Sequence, residues 1–364
     1  MSSETLHTSF LSPVPDMFFG SDYAAGAHPR VMQALAETNL QKTAGYGLDE
    51  YCREAADLIR AACRCPQADV RFLTGGTQTN MVALTALLAP YQGVAAAQTG
   101  HIWGHEAGAI ERHGHRVIPL PSHEGKVAAA DLRALWENYE NDETRDHIVM
   151  PGAVYLSQPT ESGTLYSLTE LTEISGVCRA AGLSLYVDGA RLAYALACPE
   201  NDVFLPDLAA LCDAFYIGGT KCGALFGEAL VFPDPGRVPH FFSVMKQNGA
   251  VLAKGRLLGV QFKALFTDGL YEEIGRTALE KAEQLRRGLR ALGFEPLGSS
   301  PTNQIFVRVP DDLYHQLTGR GFGGFWSKEP DGGYVIRFVT DWSAGETDVQ
   351  LLLDFLAEKG ENRE

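Results

Sequence analysis

The chain lacks an excess of positive charge. Its 364 residues include 30 Lys and Arg against 45 Asp and Glu, which gives a formal net charge of −15 at pH 7. A strongly acidic surface repels phosphate backbones and anionic headgroups. Nucleic acid and membrane surfaces are therefore excluded as main partners, whereas a local basic pocket for one phosphate group is not.

Long apolar runs are also missing, and none reaches the ~20 residues that a transmembrane helix needs. The segment 1–12 has neither the basic nor the apolar stretch of a secretory signal. The seven cysteines are scattered, and no two pairs have zinc-site spacing. We therefore expect reduced thiols, a cytoplasmic location and no metal. The histidines that would be the alternative metal ligands are too loosely spaced: His101, His105, His113 and His115.

Strands and helices alternate through the first two thirds of the sequence, which predicts a mostly parallel sheet with helices on both faces. The predicted strands are 70–73, 94–97, 116–120, 153–156, 183–187 and 215–217, and one of the helices between them is predicted over 105–113. After residue 232 the predicted helices are 255–270, 279–292 and 346–358, and the predicted strands are 303–309 and 334–340. This change indicates a smaller α/β domain. We expect an N-terminal arm and a large domain over 1–261, and a small C-terminal domain over 262–364.

Two polar motifs each follow one of the apolar strands. The first strand ends at Asp188, three residues before Arg191, and the second is followed by two glycines, a threonine and Lys221. The carboxyl ends of parallel strands meet at one edge of a sheet, where ligands bind. A lysine there can form a Schiff base with an aldehyde, and a carboxylate can keep a pyridine nitrogen protonated. The pair predicts pyridoxal 5'-phosphate (PLP) as cofactor, with Arg191 suited to its ring oxygen.

The segment Gly75-Gly76-Thr77 also follows a strand and opens a helix. Glycines let the backbone approach a phosphate, and a helix N-terminus offers free N–H groups. A plain glycine turn with a threonine cap is the alternative. The spacing is that of neither a dinucleotide fingerprint nor a Walker loop. Together with Asp188 and Lys221, the segment predicts the site for the cofactor phosphate.

These motifs and several others resemble the threonine aldolases and the β-eliminating lyase group of fold-type I PLP enzymes. The likeness runs from about residue 18 to residue 358. The matching segments are Gly20-Ser21-Asp22, Tyr46-Gly47-Leu48-Asp49, 75–80, 100–109, 160–164, 188–192, Gly219-Thr220-Lys221 and Lys254-Gly255-Arg256. The resemblance implies a PLP-dependent transferase-like large domain.

The resemblance also implies a role for each matching residue. Lys221 would carry the cofactor, Asp188 would pair with the ring nitrogen, and His101 would stack on the ring near the substrate. Gly76, Thr77, Arg191 and Arg256 would complete the cofactor site. Arg337 would bind the substrate carboxylate as a bidentate partner. The other substrate-binding candidates are Ser21, Tyr46 and Thr160, and Tyr46 and Arg256 would reach the site across a subunit interface.

One segment departs from the family. Many threonine aldolases have a histidine where this chain reads 157–161, and that histidine is a candidate for the base that takes the substrate's hydroxyl proton. The base therefore remains open between His101, His105, Thr160 and a bound water.

The activity implied is cleavage of threonine, allo-threonine or phenylserine-like amino acids to glycine and an aldehyde, by a homodimer or homotetramer. The alternatives are another PLP-dependent lyase, aminotransferase or racemase, or a PLP-binding protein without turnover.

Overall fold

The computed structural model describes residues 18–361. The segment 1–12, in which we expect no secretory signal, lies outside that range. Within residues 18–361, none of the helices combines the length and the apolar character that crossing a membrane requires.

The centre of the molecule is a seven-stranded sheet whose strands lie in the order β1-β7-β6-β5-β4-β2-β3. Strands β6, β5, β4, β2 and β3 are parallel, and β7 runs antiparallel to both of its neighbours. The expected mostly parallel sheet is confirmed. The strands are β1 (Asp69–Leu73), β2 (Gln92–Ala97), β3 (Val117–Leu120), β4 (Met150–Ser157), β5 (Ser184–Asp188), β6 (Ala214–Gly218) and β7 (Glu228–Phe232).

Helices cover both faces of this sheet, because its central strands are apolar on both sides and bury nearly every residue. Two buried apolar clusters lie against the two faces. The helices up to the end of this region are α1 (Pro29–Thr38), α2 (Glu50–Ala62), α3 (Gly76–Leu87), α4 (His101–Gly104), α5 (Ala109–Arg112), α6 (Ala129–Asn141), α7 (Leu168–Ala181), α8 (Leu192–Leu196), α9 (Leu205–Leu211), α10 (Phe241–Gln247) and α11 (Arg256–Leu265), with a 3₁₀ turn at Arg145–His147.

A second, antiparallel sheet of four strands forms the C-terminal part, in the order β10-β11-β9-β8. It has its own apolar cluster, built with three helices. These elements are α12 (Leu270–Ala291), β8 (Pro296–Leu297), β9 (Gln304–Val309), α13 (Asp311–Gly319), β10 (Gly324–Lys328), β11 (Tyr334–Val339) and α14 (Glu346–Glu361). The domain boundary at 261/262 stays a prediction, and α11 runs through it.

Two helices differ from the expectation from sequence. The apolar spacing of 105–113 predicts one helix, but the structure has the two short helices α4 and α5. The backbone turns left-handed at Ala107 (φ 51°) and Gly108 (φ 73°), which ends any continuous helix there. Likewise, the helix expected over 255–270 ends at Leu265, and Gly269 (φ 69°) precedes a longer α12, which contains all but the last residue of the predicted helix 279–292.

Candidate active site

A cavity of about 300 Å³ lies at the carboxyl ends of β4, β5 and β6. In register, Ser157 on β4 faces Asp188 on β5, and Gly218 at the end of β6 faces Glu228 on β7. The fold therefore brings strand ends that are distant in sequence to one edge. Six of the residues predicted from sequence line this cavity: Gly76, Thr77, His101, Asp188, Arg191 and Lys221.

Asp188 is a buried carboxylate at the floor of the cavity. Its Oδ2 accepts hydrogen bonds from the Tyr155 hydroxyl (2.6 Å) and the Asn80 amide (3.0 Å), and its Oδ1 accepts one from the Ala190 N–H (2.9 Å). Burial opposes ionisation, but the charge of His101 and these donors outweigh it, and the pKa of Asp188 is lowered. The group is an anion held in a fixed position at neutral pH.

Lys221 lies in the loop between β6 and β7, with its backbone carbonyl held by the Tyr194 hydroxyl at 2.5 Å. Burial and the nearby charge of Arg191 lower the pKa of its amine, while Asp22, Asp188 and Glu228 act in the opposite direction. A lowered pKa increases the neutral fraction of the amine, which is the nucleophilic form.

The N-terminus of α3 opens onto the same cavity. Gly75 precedes the helix and provides no side-chain cap, so the first N–H groups remain open to an anion. A Cβ on Gly76 would lie 3.1 Å from the Tyr216 hydroxyl, which shows how closely the backbone approaches the cavity floor. A phosphate site, a buried anion and a lysine in one cavity fit the pyridoxal phosphate group that the sequence predicts.

Arg191 forms a buried ion pair with Asp22 of the N-terminal segment. Its Nε donates to Asp22 Oδ2 at 2.6 Å and one terminal nitrogen donates to Oδ1 at 3.0 Å, while the Asn303 amide also donates to Oδ2 at 3.0 Å. Against the effect of burial, the ion pair lowers the pKa of Asp22 to about 2 and raises that of Arg191. The predicted partner of the ring oxygen is therefore already fixed in place by the protein.

His101 stands at the start of α4 on a network of buried acids. Its Nδ1 lies 2.7 Å from Glu106 Oε1, which also accepts a hydrogen bond from Asn80 at 2.7 Å. Its backbone N–H donates to Glu161 Oε1 at 2.9 Å. Because a carboxylate faces Nδ1, that nitrogen carries the hydrogen, and Nε2 is left as the nitrogen that can accept a proton.

Arg337 lies on β11, in the four-stranded sheet, and is not part of the cavity lining. One terminal nitrogen donates to Gln304 Oε1 at 3.1 Å, and the guanidinium lies 5.7 Å from the centre of the Trp326 ring. Its Nε is buried with no hydrogen-bond partner among the described residues. Burial and the charge of Arg191 lower its pKa to about 10. The side chain is therefore a cation without an anionic partner among residues 18–361.

The remaining predicted residues do not line the cavity within one chain. Tyr46 lines a different cavity, with the Lys246 amine 4.5 Å from its ring centre. Arg256 donates to the carbonyls of Thr38 (2.6 Å) and Asn39 (3.0 Å). Their role across a subunit interface stays a prediction.

Ser21 and Thr160 are buried outside the cavity lining. The Thr160 hydroxyl lies 2.7 Å from that of Thr164, within a turn that also joins the Thr160 N–H to the Thr164 carbonyl. The Thr160 hydroxyl is therefore already hydrogen-bonded within the protein. His105 lies closer to the site, since its ring centre is 5.8 Å from that of His101.

Sequence reasoning missed four buried acids around the cavity: Asp22, Glu106, Glu161 and Glu228. The Glu161 carboxylate accepts from the Ser157 hydroxyl at 2.7 Å, and burial raises its pKa. Glu228 accepts from the Gly219 N–H (2.9 Å) and the Thr220 hydroxyl (2.7 Å). The sequence did contain a signal for Glu228, since an acid that follows a glycine and begins an apolar strand lies at a strand end, where ligands bind.

Two of the four histidines weighed as alternative metal ligands lie against backbone carbonyls. His113 Nδ1 lies 2.9 Å from the Ala109 carbonyl, and His115 Nδ1 lies 3.0 Å from the Gln92 carbonyl. Across residues 18–361, no group of three or more His, Cys, Asp or Glu side chains could hold a metal ion.

This chain is similar to known proteins over most of its length. The model of a family described as "Beta-eliminating lyase" matches residues 19–311. A low specificity L-threonine aldolase of Pseudomonas sp. (strain NCIMB 10558) is 29% identical over 341 residues, which cover 92% of this chain and 95% of that protein.

Solved structures are similar over nearly the whole chain. The Leishmania major threonine aldolase is 40% identical with a TM-score of 0.90, over 94% of this chain and 99% of that chain. Cystalysin from Treponema denticola, which contains a pyridoxal 5'-phosphate cofactor, is 12% identical with a TM-score of 0.73, over 100% of this chain and 98% of that chain. At that identity the second likeness concerns the fold alone.

Proposed function

Because this chain belongs to the β-eliminating lyase family, we propose that it is a PLP-dependent aldolase that cleaves β-hydroxy-α-amino acids to glycine and an aldehyde. Threonine and allo-threonine are the leading substrates, and phenylserine-like amino acids are the next. The observation that carries the proposal is that Lys221, Asp188 and the open N-terminus of α3 line one cavity. The names of the relatives, low specificity L-threonine aldolases, support the substrate class.

When bound, PLP supplies an aldehyde for covalent attachment and an electron-withdrawing ring that stabilises negative charge at the substrate α-carbon. The residues of the chain position this chemistry. The N–H groups at the start of α3 would hold the phosphate, and Asp188, kept ionised by Tyr155 and Asn80, would hold a proton on the ring nitrogen. Lys221, with its lowered pKa, supplies the amine.

Arg337 is the residue that would bind the substrate. A guanidinium offers parallel N–H donors that match a carboxylate, and the unpartnered Nε of Arg337 leaves that side of the fork available. By fixing the α-carboxylate, Arg337 would orient the substrate and so select which bond of the α-carbon is cleaved. For an aldolase this must be the bond to the β-carbon.

Cleavage also requires a group that takes the proton of the β-hydroxyl. His101 has the geometry for this, because Glu106 fixes its Nδ1–H and leaves Nε2 as the acceptor. His105, beside it, is the second candidate, since burial and the neighbouring charges of His101 and Arg337 lower its pKa and keep its ring neutral. A bound water remains a third.

We also propose a homodimer or homotetramer in the cytoplasm. Tyr46 and Arg256 lie away from the cavity in one chain, and a second subunit is the means by which they would reach a site. All seven cysteines are free and buried, which suits a reducing compartment.

The test is to incubate the purified protein and PLP with L-threonine and L-allo-threonine and to assay acetaldehyde, glycine, pyruvate and 2-oxobutyrate. We expect acetaldehyde and glycine in equal amounts. Oxo acids without aldehyde would overturn the aldolase in favour of an eliminating lyase or aminotransferase.

Lys221→Ala is the matched control for this assay. We expect it to abolish covalent PLP binding and to reduce turnover on the order of 10⁴-fold or more, because the attacking amine is lost. A variant that kept both would contradict the proposed role of Lys221.

A further inference from the structure

Glu228 is a buried carboxylate of the cavity for which the proposed function provides no role. It begins β7, it is 3% exposed, and it lines the same cavity as Lys221 and Asp188. A buried acid in a ligand cavity is costly unless it is paired or used, so its presence calls for an explanation.

The contacts of Glu228 tie it to the loop that carries Lys221. Its Oε2 accepts from the Gly219 N–H at 2.9 Å and its Oε1 from the Thr220 hydroxyl at 2.7 Å. The Gly219 and Thr220 N–H groups also donate to the Gly227 carbonyl, at 3.0 Å each, and the Gly227 N–H donates to the Thr220 hydroxyl at 3.0 Å. The carboxylate thus holds the two residues immediately before the lysine.

The Glu228 carboxyl also changes its protonation state near neutral pH. Burial raises its pKa to about 7, against the opposing effects of the Thr220 and Gly219 hydrogen bonds and of the Lys221 charge. Asp188, at the end of β5, has its pKa lowered by contrast, so it stays ionised over the same range. Of these two carboxyls, Glu228 is therefore the one that can gain or lose a proton near neutral pH.

The other charged groups that face Lys221 come from different elements of the fold. Arg191, after β5, lowers the proton affinity of the amine, while Asp22, Asp188 and Glu228 raise it. His101 of α4 and Glu161 after β4 also line the cavity. Asp22 is bound by Arg191, and Asp188 by Tyr155 and Asn80. Glu228 alone among these three acids is bonded to the lysine's own loop.

We propose that Glu228 is a positioning residue for Lys221, which orients the lysine loop and, through its negative charge, sets how strongly the lysine nitrogen holds a proton. Each of its oxygens already accepts a hydrogen bond, so it acts on Lys221 through the electric field and the loop rather than by direct contact. This inference rests on the proposed function, because it concerns the lysine that would bind PLP.

The experiment is a pH titration of the visible absorbance of the full-length protein with PLP bound. That absorbance changes when the Lys221 nitrogen linked to the cofactor gains or loses its proton, and it reports no turnover. We expect Glu228→Gln to shift the midpoint to lower pH, equivalent to several-fold weaker proton binding, because a negative charge near the nitrogen is removed. Glu228→Asp, which keeps the charge, should leave the midpoint near the wild-type value.

Glu54→Gln is the matched control, since it removes one acid from an ion pair with Lys263 in which both side chains are about 40% exposed, on α2 and α11. It should leave the midpoint unchanged. If the glutamine variant does not fold, Glu228→Ser replaces it as a smaller neutral side chain. A midpoint in the neutral variant that equals wild type, or moves to higher pH, overturns the inference.

Failure of the PLP-binding role of Lys221, on which the proposed function depends, gives a different result. In that case the wild-type protein shows no absorbance from bound PLP beyond that of Lys221→Ala. If the wild-type protein binds PLP through Lys221 but the two midpoints coincide, only the role of Glu228 is wrong.

Discussion

Arg191 and Arg337 differ in how their charge is balanced. Arg191, beside the seven-stranded sheet, is held by both oxygens of Asp22, at 2.6 and 3.0 Å. Arg337, on the four-stranded sheet, donates to the neutral amide of Gln304 at 3.1 Å and forms no ion pair with another described residue. The pKa of Arg191 is raised by its ion pair, whereas that of Arg337 is lowered to about 10 by burial and by Arg191.

We interpret Arg191 as a structural cation, which is paired within the protein, and Arg337 as a cation that would be paired by a bound ligand. A buried guanidinium with an internal carboxylate contributes to the fold, and removing either partner leaves an uncompensated charge. A buried guanidinium without one weakens the fold and is stabilised by an anion that binds later. The substrate carboxylate that we propose for Arg337 is such an anion, and the predictions below test each half of the contrast.

The largest expected effect is on folding, at Asp22. Replacing Asp22 by Asn keeps the shape of the side chain but leaves Arg191 buried without its counter-charge. We expect the free energy of unfolding to fall by about 3–5 kcal/mol, as for other broken buried ion pairs. Urea unfolding followed by circular dichroism measures the loss.

The double variant Asp22→Leu with Arg191→Met is the control for that result. It removes both charges and fills the space with apolar groups, so it should recover most of the stability that Asp22→Asn loses. A double variant as unstable as the single one would contradict the view that an unpaired charge causes the loss.

The second effect is on catalysis, at Arg337. Arg337→Ala should lower kcat/KM for threonine on the order of 10²-fold, mainly through a higher KM, because the bound carboxylate loses its charged partner. The free energy of unfolding should change by less than about 1 kcal/mol, or rise, since no internal ion pair is broken. Steady-state kinetics and the same unfolding assay measure the two quantities.

Arg337→Lys tests whether the fork of donors matters beyond the charge. A lysine keeps the charge but loses the parallel N–H donors, so its kcat/KM should lie between wild type and alanine. A large loss of stability in Arg337→Ala with unchanged KM would reverse the roles that we assign to the two arginines.

The sequence is sufficient to predict the floor of the cavity, but neither half of this contrast. Asp188 and Lys221 follow short apolar runs whose strand assignment is correct, and parallel strands place their ends at one edge, so the cavity floor follows from local sequence. Arg337 comes from family likeness only, because an arginine between apolar strand residues is equally consistent with a structural ion pair.

The partner of Arg191 could not be predicted in the same way. Asp22 is 169 residues from it in sequence, and the contact depends on how the N-terminal segment crosses the folded sheet. Glu106 and Glu228 were missed because an acid in an apolar context has no periodicity that reveals its burial. The helix expected at 105–113 failed for another reason, since Ala107 adopts a positive φ that alanine rarely takes.

The smallest expected effect is on the pKa of His105. It distinguishes the charge of Arg337, which acts on this ring, from that of Arg191. Burial, His101 and Arg337 lower the pKa of His105, and Arg191 is not among these causes. Arg337→Ala removes one nearby positive charge, so the protonated ring becomes less unfavourable and the pKa of His105 should rise; its ring would then be protonated up to a higher pH. Asp22→Asn leaves Arg337 in place and should not change the pKa of His105.

Titration of the protein with ¹³C-labelled histidine by NMR, with the His105 signal assigned from His105→Gln, measures the pKa shift in both variants. Equal shifts of the His105 pKa in the two variants would mean that Arg191 and Arg337 influence this ring to the same extent. The difference between the two arginines would then concern folding alone.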